Sequence, residues 1–500
     1  MKLKLPSSVY NWVSIWGVML ALIALFMIIF LFIISIFHGG NQTYLGLIIY
    51  LILPVFLVIG LILIPVGMWI KSKRNKKLGR LEKPLPFLDL NIKSHRNAFM
   101  IFVSGTVVFL LLSAIGSYEA FNFTESVQFC GTLCHKVMNP EYTAYRNSPH
   151  ARVRCVDCHV GEGADWYVRS KISGMYQVYA VLANVYPKPI ETPISNLRPA
   201  RETCEECHWP EKFYARKLKI ERHYLTDEKN TEWDIHLAMK IGAAYSALGL
   251  QEGIHWHINP DVKIDYVYTD KKHQKIPWVR YTNKKTGKVT IYKDENEKKD
   301  FANQQNKMET MDCISCHNRP SHIYNPPAFY INNAITAGRI PQDLPEIKFA
   351  ALTVLEKEFT NDDEAYNSIK NGIHEFYKNK FGVQYASNKQ KVDKAVVGIW
   401  TEFQKNCFPE MRVRWDKYPN NIGHLEFDGC FRCHDDKHVS SEGKKISKDC
   451  NLCHSIIAQG EPMKLTAARV NEQLDFKHPI DIGDEWKSCL CTDCHTGLNP

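Results

Sequence analysis

The chain has 500 residues, of which 45% are apolar, and a formal net charge of +9. That size and composition are ordinary for a folded chain of two or three domains. The charge is a local matter: eleven Lys and Arg precede residue 98 against Glu82 and Asp89, which accounts for the whole +9, so residues 98–500 are formally neutral and nucleic-acid binding is not expected.

Three uncharged apolar runs come first, at 13–37, 45–70 and 98–116. A bilayer core about 30 Å thick needs roughly 20 helical residues, so each run can span it. One such run could be a buried helix, and the first could be a cleaved signal. Three runs together, the length of the first, and the lack of a small-x-small cleavage site after it favour three uncleaved spans. The link 38–44 carries no Lys or Arg, whereas the N-terminus and the loop 71–97 are strongly basic. The positive-inside rule puts both in the cytoplasm, and the third helix then delivers everything after about residue 117 to the far side. Residues 1–117 are therefore the expected membrane domain.

Beyond that point Cys-x-x-Cys-His recurs six times: Cys155/Cys158/His159, Cys204/Cys207/His208, Cys313/Cys316/His317, Cys430/Cys433/His434, Cys450/Cys453/His454 and Cys491/Cys494/His495. Each reads as a c-type haem attachment site. Two thiols must reach the vinyl groups of one porphyrin while the adjacent histidine reaches its iron, and a short helical turn presents residues three apart on one face. A zinc ribbon would not place a histidine after every cysteine pair, and a redox dithiol would occur once. Export by the third helix agrees, because c-type haem is attached outside the cytoplasm.

The stretch FCGTLCHKVM at 129–138 has three residues between its cysteines instead of two. Cys130 and Cys134 still share a helix face at i and i+4, and His135 follows directly, so it reads as a seventh haem site with a stretched loop. Fourteen of the 16 cysteines are then used. Cys407 and Cys489 have no assigned role.

Electron-transfer haems usually take a second axial ligand, often histidine or methionine. Eleven of the 20 histidines lie outside the motifs, outside the cytoplasmic loop (His95) and away from the first helix end (His38). The preferred distal ligands are His150, His322, His424 and His478, each near a motif or in a segment with little other structure, and His438, four residues past His434. His223, His236, His255, His257, His273 and His374 stay in the pool without assignment.

The fold expected from this pattern is a mainly α and coil multihaem cytochrome c domain with three transmembrane helices and a small antiparallel β insert. A four-haem region is expected at 118–322. Its insert, about 255–295, has strand patterns at 264–268, 278–282 and 289–292, with a turn at 283–287. A helical linker is expected at 323–425, with helical spacing around Leu355, Tyr366, Ile369, Ile373, Phe376 and Tyr377. A three-haem segment with little sheet signal closes the chain at 426–500.

Behind the third membrane helix, the stretches FCGTLCHKVMNPEYTAYRNSPHARVRCVDCHV, RSKISGMYQ, LRPARETCEECHWP and CISCHNRPSH resemble the NapC/NirT/NrfH family of membrane-anchored quinol dehydrogenases over about 98–322. The two extra N-terminal helices and three extra haem motifs make the whole similar to seven-haem inner-membrane cytochromes of metal-reducing bacteria. The resemblance implies seven covalently bound haem c groups and menaquinol as substrate, oxidised near the first haem. The family's first iron is bound by a methionine just past the motif. Met138 matches it, although it lies three residues after His135 where the family tends to place it two after; His135 is the alternative. A family lysine that contacts quinol matches Lys171, with Asp165 and Gln177 on either side as further candidates. The resemblance also implies a bacterial inner-membrane location, a cytoplasmic N-terminus, a periplasmic haem domain and soluble periplasmic c-type cytochromes as partners, and it is compatible with a homo-oligomer.

Two rival functions use the same motifs. One is an anchored relay fed by another membrane subunit. The other is a terminal reductase, which needs an iron with an open position; in some families a lysine replaces the motif histidine there, and no Cys-x-x-Cys-Lys occurs in this chain.

Overall fold

A computed structural model describes residues 10–37, 48–78, 89–161, 163–194, 198–209, 213, 215–242, 253–299, 301, 308–470 and 472–498. Residues 45–47 and much of the basic loop lie outside that set. The chain divides into two compact units, Met1–Met138 and Asn139–Pro500.

In the first unit the apolar runs form α1 (Trp12–Phe37), α2 (Leu53–Lys77) and α3 (Lys93–Thr124). Among the described residues, three helices are long and apolar enough to cross a membrane. α3 runs past the expected end at 116, because nothing in GSYEAFNFT breaks a helix; it stops where Ser126 caps the next one, α4 (Val127–Thr132), by accepting a hydrogen bond from the Phe129 amide at 3.1 Å.

α1 and α2 meet through small residues. A Cβ on Gly60 would lie 2.7 Å from the Ala21 nitrogen, and one on Gly17 would lie 2.7 Å from the Gly60 carbonyl. Lipid supplies no hydrophobic drive between helices, so close backbone approach and buried hydrogen bonds hold such pairs. Ser14 adds one of these, its hydroxyl donating to the Ile64 carbonyl at 2.8 Å beside Pro65 in α2. Gly60→Leu should overpack this seam and cost about 1–3 kcal/mol, read as a lower Tm of the detergent-solubilised protein; an unchanged Tm would show that the two helices do not depend on the contact.

The second unit carries the six regular haem motifs, and the stretched first motif lies at the end of the first unit. α5 (His135–Arg146), which crosses the boundary, α6 (Cys155–His159), α7 (Ala164–Leu182) and α8 (Ala200–Cys204) lead into two antiparallel sheets. The first sheet has the order β1-β2-β8-β9, from Arg216–Tyr224, Glu232–Lys240, His454–Gly460 and Thr466–Ala467. The second has the order β6-β3-β4-β5-β7, from Met308–Thr310, Val262–Val267, Trp278–Asn283, Val289–Asp294 and His438–Ser440. β3, β4 and β5 are the insert strands expected from sequence. The hairpin β1–β2 was not expected, and neither was sheet in the C-terminal segment. β8 pairs with β2 and β7 with β5, so strands of the last three motifs complete one sheet with the β1–β2 hairpin and the other with the insert.

Between the sheet strands come α9 (Cys313–Cys316), α10 (Pro327–Thr336), α11 (Ile347–Leu355), α12 (Asp362–Lys380) and α13 (Gly382–Asn406). The last four helices enclose an apolar core that includes Ile331, Leu344, Ile369, Ile373, Tyr377 and Ile399. The expected helical spacing is present, but the segment is a packed core and not a linker. Asn230, buried at the tip of the β1–β2 hairpin, ties the first sheet to it by donating to the carbonyls of Gln342 (2.9 Å) and Leu344 (2.8 Å). Cys407 belongs to the same core; burial pushes its thiol up to about 12, so it is an inert packing residue.

Candidate haem sites

Each regular attachment motif lies on a short helical turn. α6 and α9 span the second and fourth, α8 ends on Cys204 of the third, and 3-10 turns Gly429–Arg432, Cys450–Leu452 and Cys491–Asp493 carry the last three. In four motifs the histidine amide closes the turn onto the first cysteine carbonyl: His208 at 2.8 Å, His317 at 2.7 Å, His434 at 3.1 Å and His495 at 2.8 Å. That bond fixes the histidine against the two thiols. Asp312 and Asp449 cap two of the turns through side-chain oxygens, which satisfies amides that a turn this short cannot pair internally.

Burial does not mark every attachment cysteine. Cys207 and Cys494, the second thiols of the third and seventh motifs, are exposed, as are Cys158 and Cys450. For Cys207 and Cys494 the assignment rests on the turn. The Cys207 amide donates to the Cys204 carbonyl and the Cys494 amide to the Cys491 carbonyl, each at 3.2 Å, which holds each second thiol beside the first.

Opposite six motif histidines stands a second histidine ring. The ring-centroid separations are 6.2 Å for His159–His322, 6.1 Å for His208–His150, 6.3 Å for His317–His255, 5.8 Å for His434–His257, 6.1 Å for His454–His424 and 6.1 Å for His495–His478. All six pairs share nearly one separation. A metal–imidazole bond of about 2.0 Å on each side, with about 1.1 Å from each nitrogen to its ring centre, puts two trans ligands about 6.2 Å apart. The residues present therefore fit a six-coordinate haem iron in six places.

Hydrogen bonding favours the same use of these rings. Nδ1 faces a backbone carbonyl in His150 (Pro320, 3.2 Å), His322 (Glu141, 3.0 Å), His255 (Ile241, 3.1 Å), His257 (Ile254, 2.9 Å), His434 (Ser447, 2.9 Å) and His478 (Ile480, 2.8 Å). A carbonyl accepts only, so in His150, His322, His255, His257 and His434 Nδ1 holds the proton and Nε2 keeps its lone pair for a metal; His478 Nδ1 also faces the Ile480 amide, at 3.3 Å. Burial also lowers the pKa of His159, His255, His257, His317, His322, His424 and His434, and takes His454 down to about 4. The neutral imidazole is the form that binds iron.

Motifs adjacent in the chain are also neighbours in space. Cys158 lies beside Cys204, and Cys204 beside Cys313. Cys316 interacts with Cys430, Cys453 with Cys430, and Cys491 with Cys450. The second to seventh motifs thus form one series in sequence order.

Of the five distal candidates favoured by sequence, His150, His322, His424 and His478 each face a motif histidine. His438 does not. It opens β7, is 1% exposed, and its Nδ1 meets Asp435 at 2.9 Å while Nε2 meets the Ile276 carbonyl at 2.6 Å. Burial alone would depress its pKa, but Asp435 and that carbonyl raise it. Closeness to His434 in sequence was the misleading signal. Sequence reasoning left His255 and His257 unassigned, although two histidines around one tryptophan, just before a strand, were a usable sign.

His438→Ala should leave the haem complement and its low-spin spectrum unchanged while costing about 3 kcal/mol, the scale of breaking a buried ion pair. Because its pKa is raised, this contribution is complete below the unfolded value near 6.5 and is lost as pH climbs through the folded pKa. Denaturant titrations of both proteins at several pH values check this. A lost low-spin haem would instead make His438 a ligand.

The first motif is built differently. Cys130 lies on α4, and the chain continues in helical conformation through Leu133 to α5, so Cys130 and Cys134 keep a common face. His135 and Met138 stand three apart on α5 and address an iron from the same side. They are alternatives for one axial position, not a trans pair. Cys489 donates to the Glu485 carbonyl at 3.2 Å and ties off the short helix Glu485–Ser488.

The quinol-site candidates lie on α7. Val168, Ile172, Met175, Tyr176, Tyr179 and Leu182 are all exposed and recur at helical spacing, which makes one apolar stripe facing outward. Lys171 borders the stripe, its ammonium 4.7 Å from the Tyr167 ring centre, and Asp165 lies near the stripe in the first turn. Gln177 points away from the stripe, toward Ser173 at 3.4 Å.

Among the described residues no three His, Cys, Asp or Glu side chains converge on a metal-sized site; the cysteine pairs answer to porphyrin attachment and not to a zinc tetrahedron. Residues 92–191 match the NapC/NirT cytochrome c family, N-terminal region. The chain is 41% identical to the cytochrome c-type protein ImcH of Geobacter sulfurreducens over 497 residues, 98% of this chain and 96% of that protein. No solved structure matches. A membrane protein with three apolar helices and covalent haem c, this chain belongs to the ImcH family of c-type cytochromes and carries a NapC/NirT-family region that begins with its third helix.

Proposed function

We propose that this protein is a menaquinol-oxidising inner-membrane cytochrome with seven haem c groups. In this reading the N-terminus is cytoplasmic, the haem region is periplasmic, and the electrons go to soluble periplasmic c-type cytochromes in anaerobic or extracellular respiration. The observation that carries quinol oxidation is α7: an outward apolar stripe bordered by Lys171 and Asp165, in a chain anchored by apolar helices. Quinol is apolar and comes from the bilayer, so a helix that exposes this much apolar surface suits its approach.

Bound haem supplies one-electron chemistry at iron. The two quinol electrons therefore leave one at a time, and two protons leave with them. The Lys171 ammonium orients a quinol oxygen and favours the developing quinolate, while Asp165 accepts a proton directly or through water. Beyond the site, the histidine pairs hold redox centres in chain order and lead to the C-terminal motif. The six histidine pairs would saturate bound haem irons with protein ligands, which disfavours a terminal reductase at those positions.

Anaerobic mixing of the purified full-length protein with a menaquinol analogue, followed by haem absorbance, tests the reading. Reduction that saturates with quinol concentration is expected. Reduction by dithionite but not by quinol would leave the anchored relay as the function.

A further inference from the structure

Resting on the reading of the histidine pairs as haem sites, we propose that one 3-10 turn, Ile254–Ile258, ligates two neighbouring haems. His255 serves the haem of Cys313 and Cys316, and His257 that of Cys430 and Cys433. The turn is thereby the junction that joins the four-haem region electrically to the last three haems.

The turn is built for two ligands. With three residues per turn, positions 255 and 257 point in different directions, and their rings face different motif histidines, His317 and His434. Trp256 between them takes a third direction and stacks on Tyr281 of β4 at 5.2 Å, which seats the turn on the second sheet. Its entrance is pinned to the end of β2. Gly253 has φ +109°, and a Cβ there would come 2.3 Å from the Lys240 carbonyl, so glycine is required. The His255 amide and Nδ1 both address the Ile241 carbonyl, at 3.2 and 3.1 Å. His257 closes its Nδ1 onto Ile254 at 2.9 Å within the turn.

The two attachment motifs are joined independently of the turn. Arg432, an internal residue of Cys-Phe-Arg-Cys, donates to the Ser315 carbonyl of Cys-Ile-Ser-Cys at 3.0 Å. Asn421 donates to the same carbonyl at 3.0 Å. Cysteine sides and distal sides of both sites are thus held together by separate contacts. Transfer across the junction moves one electron. The iron between His255 and His317 goes from ferrous to ferric as the iron between His257 and His434 goes from ferric to ferrous. No bond forms or breaks, and no proton is required.

Ring orientation gives the test its readout. His255 and His317 are nearly parallel, with 9° between planes, whereas His257 and His434 are crossed at 83°; His150 and His208, at 78°, are the other crossed pair. Parallel axial imidazoles give ferric haem a rhombic low-spin resonance. Crossed ones give a strongly anisotropic signal with a single low-field feature. Electron paramagnetic resonance of the full-length, haem-loaded protein can therefore follow the two sites separately.

His257→Ala should keep every haem attached by intact mass, lower the strongly anisotropic signal by about half, add one high-spin haem and leave the rhombic signals in place. His255→Ala should instead remove rhombic intensity. After mixing with a menaquinol analogue, three haems should lag the others at least tenfold in His257→Ala. Should that variant fail to assemble, His257→Met retains a ligand, and a potential raised at one haem only is expected. Unchanged low-spin signals in both alanine variants, or unchanged potentials in His257→Met, would overturn the ligand assignment. Altered signals with no lag would overturn the junction. A wild-type protein with no low-spin resonance would instead sink the haem-pair reading beneath it.

Discussion

Intact-mass measurement should return the polypeptide plus seven haems, and Cys130→Ser/Cys134→Ser should return six with menaquinol-driven reduction at least a hundredfold slower, about 2.7 kcal/mol. The mass follows from geometry: the extra residue in the stretched motif leaves the chain helical through Leu133, so both thiols remain on one face with His135 directly after the second. The rate follows from topology, since the first motif is the one next to the membrane helix in sequence. Six haems in the wild-type protein would mean that the stretched motif attaches none. Seven haems with unaltered quinol kinetics in the double variant would move quinol oxidation to another haem.

Lys171→Met should slow reduction by a menaquinol analogue at least tenfold, about 1.4 kcal/mol of transition-state stabilisation, with all haems attached and dithionite reduction unchanged. Methionine keeps the length and apolar stem of the side chain, so the border of the α7 stripe is preserved and only the ammonium is lost. The positive charge lies over the Tyr167 ring beside exposed apolar surface, and once quinol covers that surface a fixed cation counts for more toward a developing quinolate than in bulk solvent. Stopped-flow absorbance with both reductants separates a quinol-specific defect from a general one. Normal quinol kinetics would remove Lys171 from the mechanism and leave Asp165 as the residue to change next. Gln177→Leu, directed away from the stripe, should have little effect.

What the sequence determined by itself is what depends on near neighbours. Two thiols and a histidine within five residues encode an attachment turn wherever they occur, whether its thiols are buried or, as at Cys207 and Cys494, exposed. Twenty apolar residues in a row likewise encode a membrane span. Alternation within 262–294 was enough for β3, β4 and β5 because each pairs with its neighbour in sequence. The distal ligands belong to another class. They stand between 17 and 177 residues from the motif histidines they face, and nothing in local spacing specifies a contact that long-range chain topology creates. His438, four residues from His434, satisfied the local criterion and proved to be a buried partner of Asp435. His255 and His257 failed that criterion and face two motifs through the pairing of β2 with β8 and the seat on β4. β8 and β7 were invisible for the same reason: the partner of each lies far back in the chain, β2 for β8 and β5 for β7. The tertiary structure therefore decided which histidines oppose one another, because a contact across 17 to 177 residues is made by the packing of distant segments and not by local spacing.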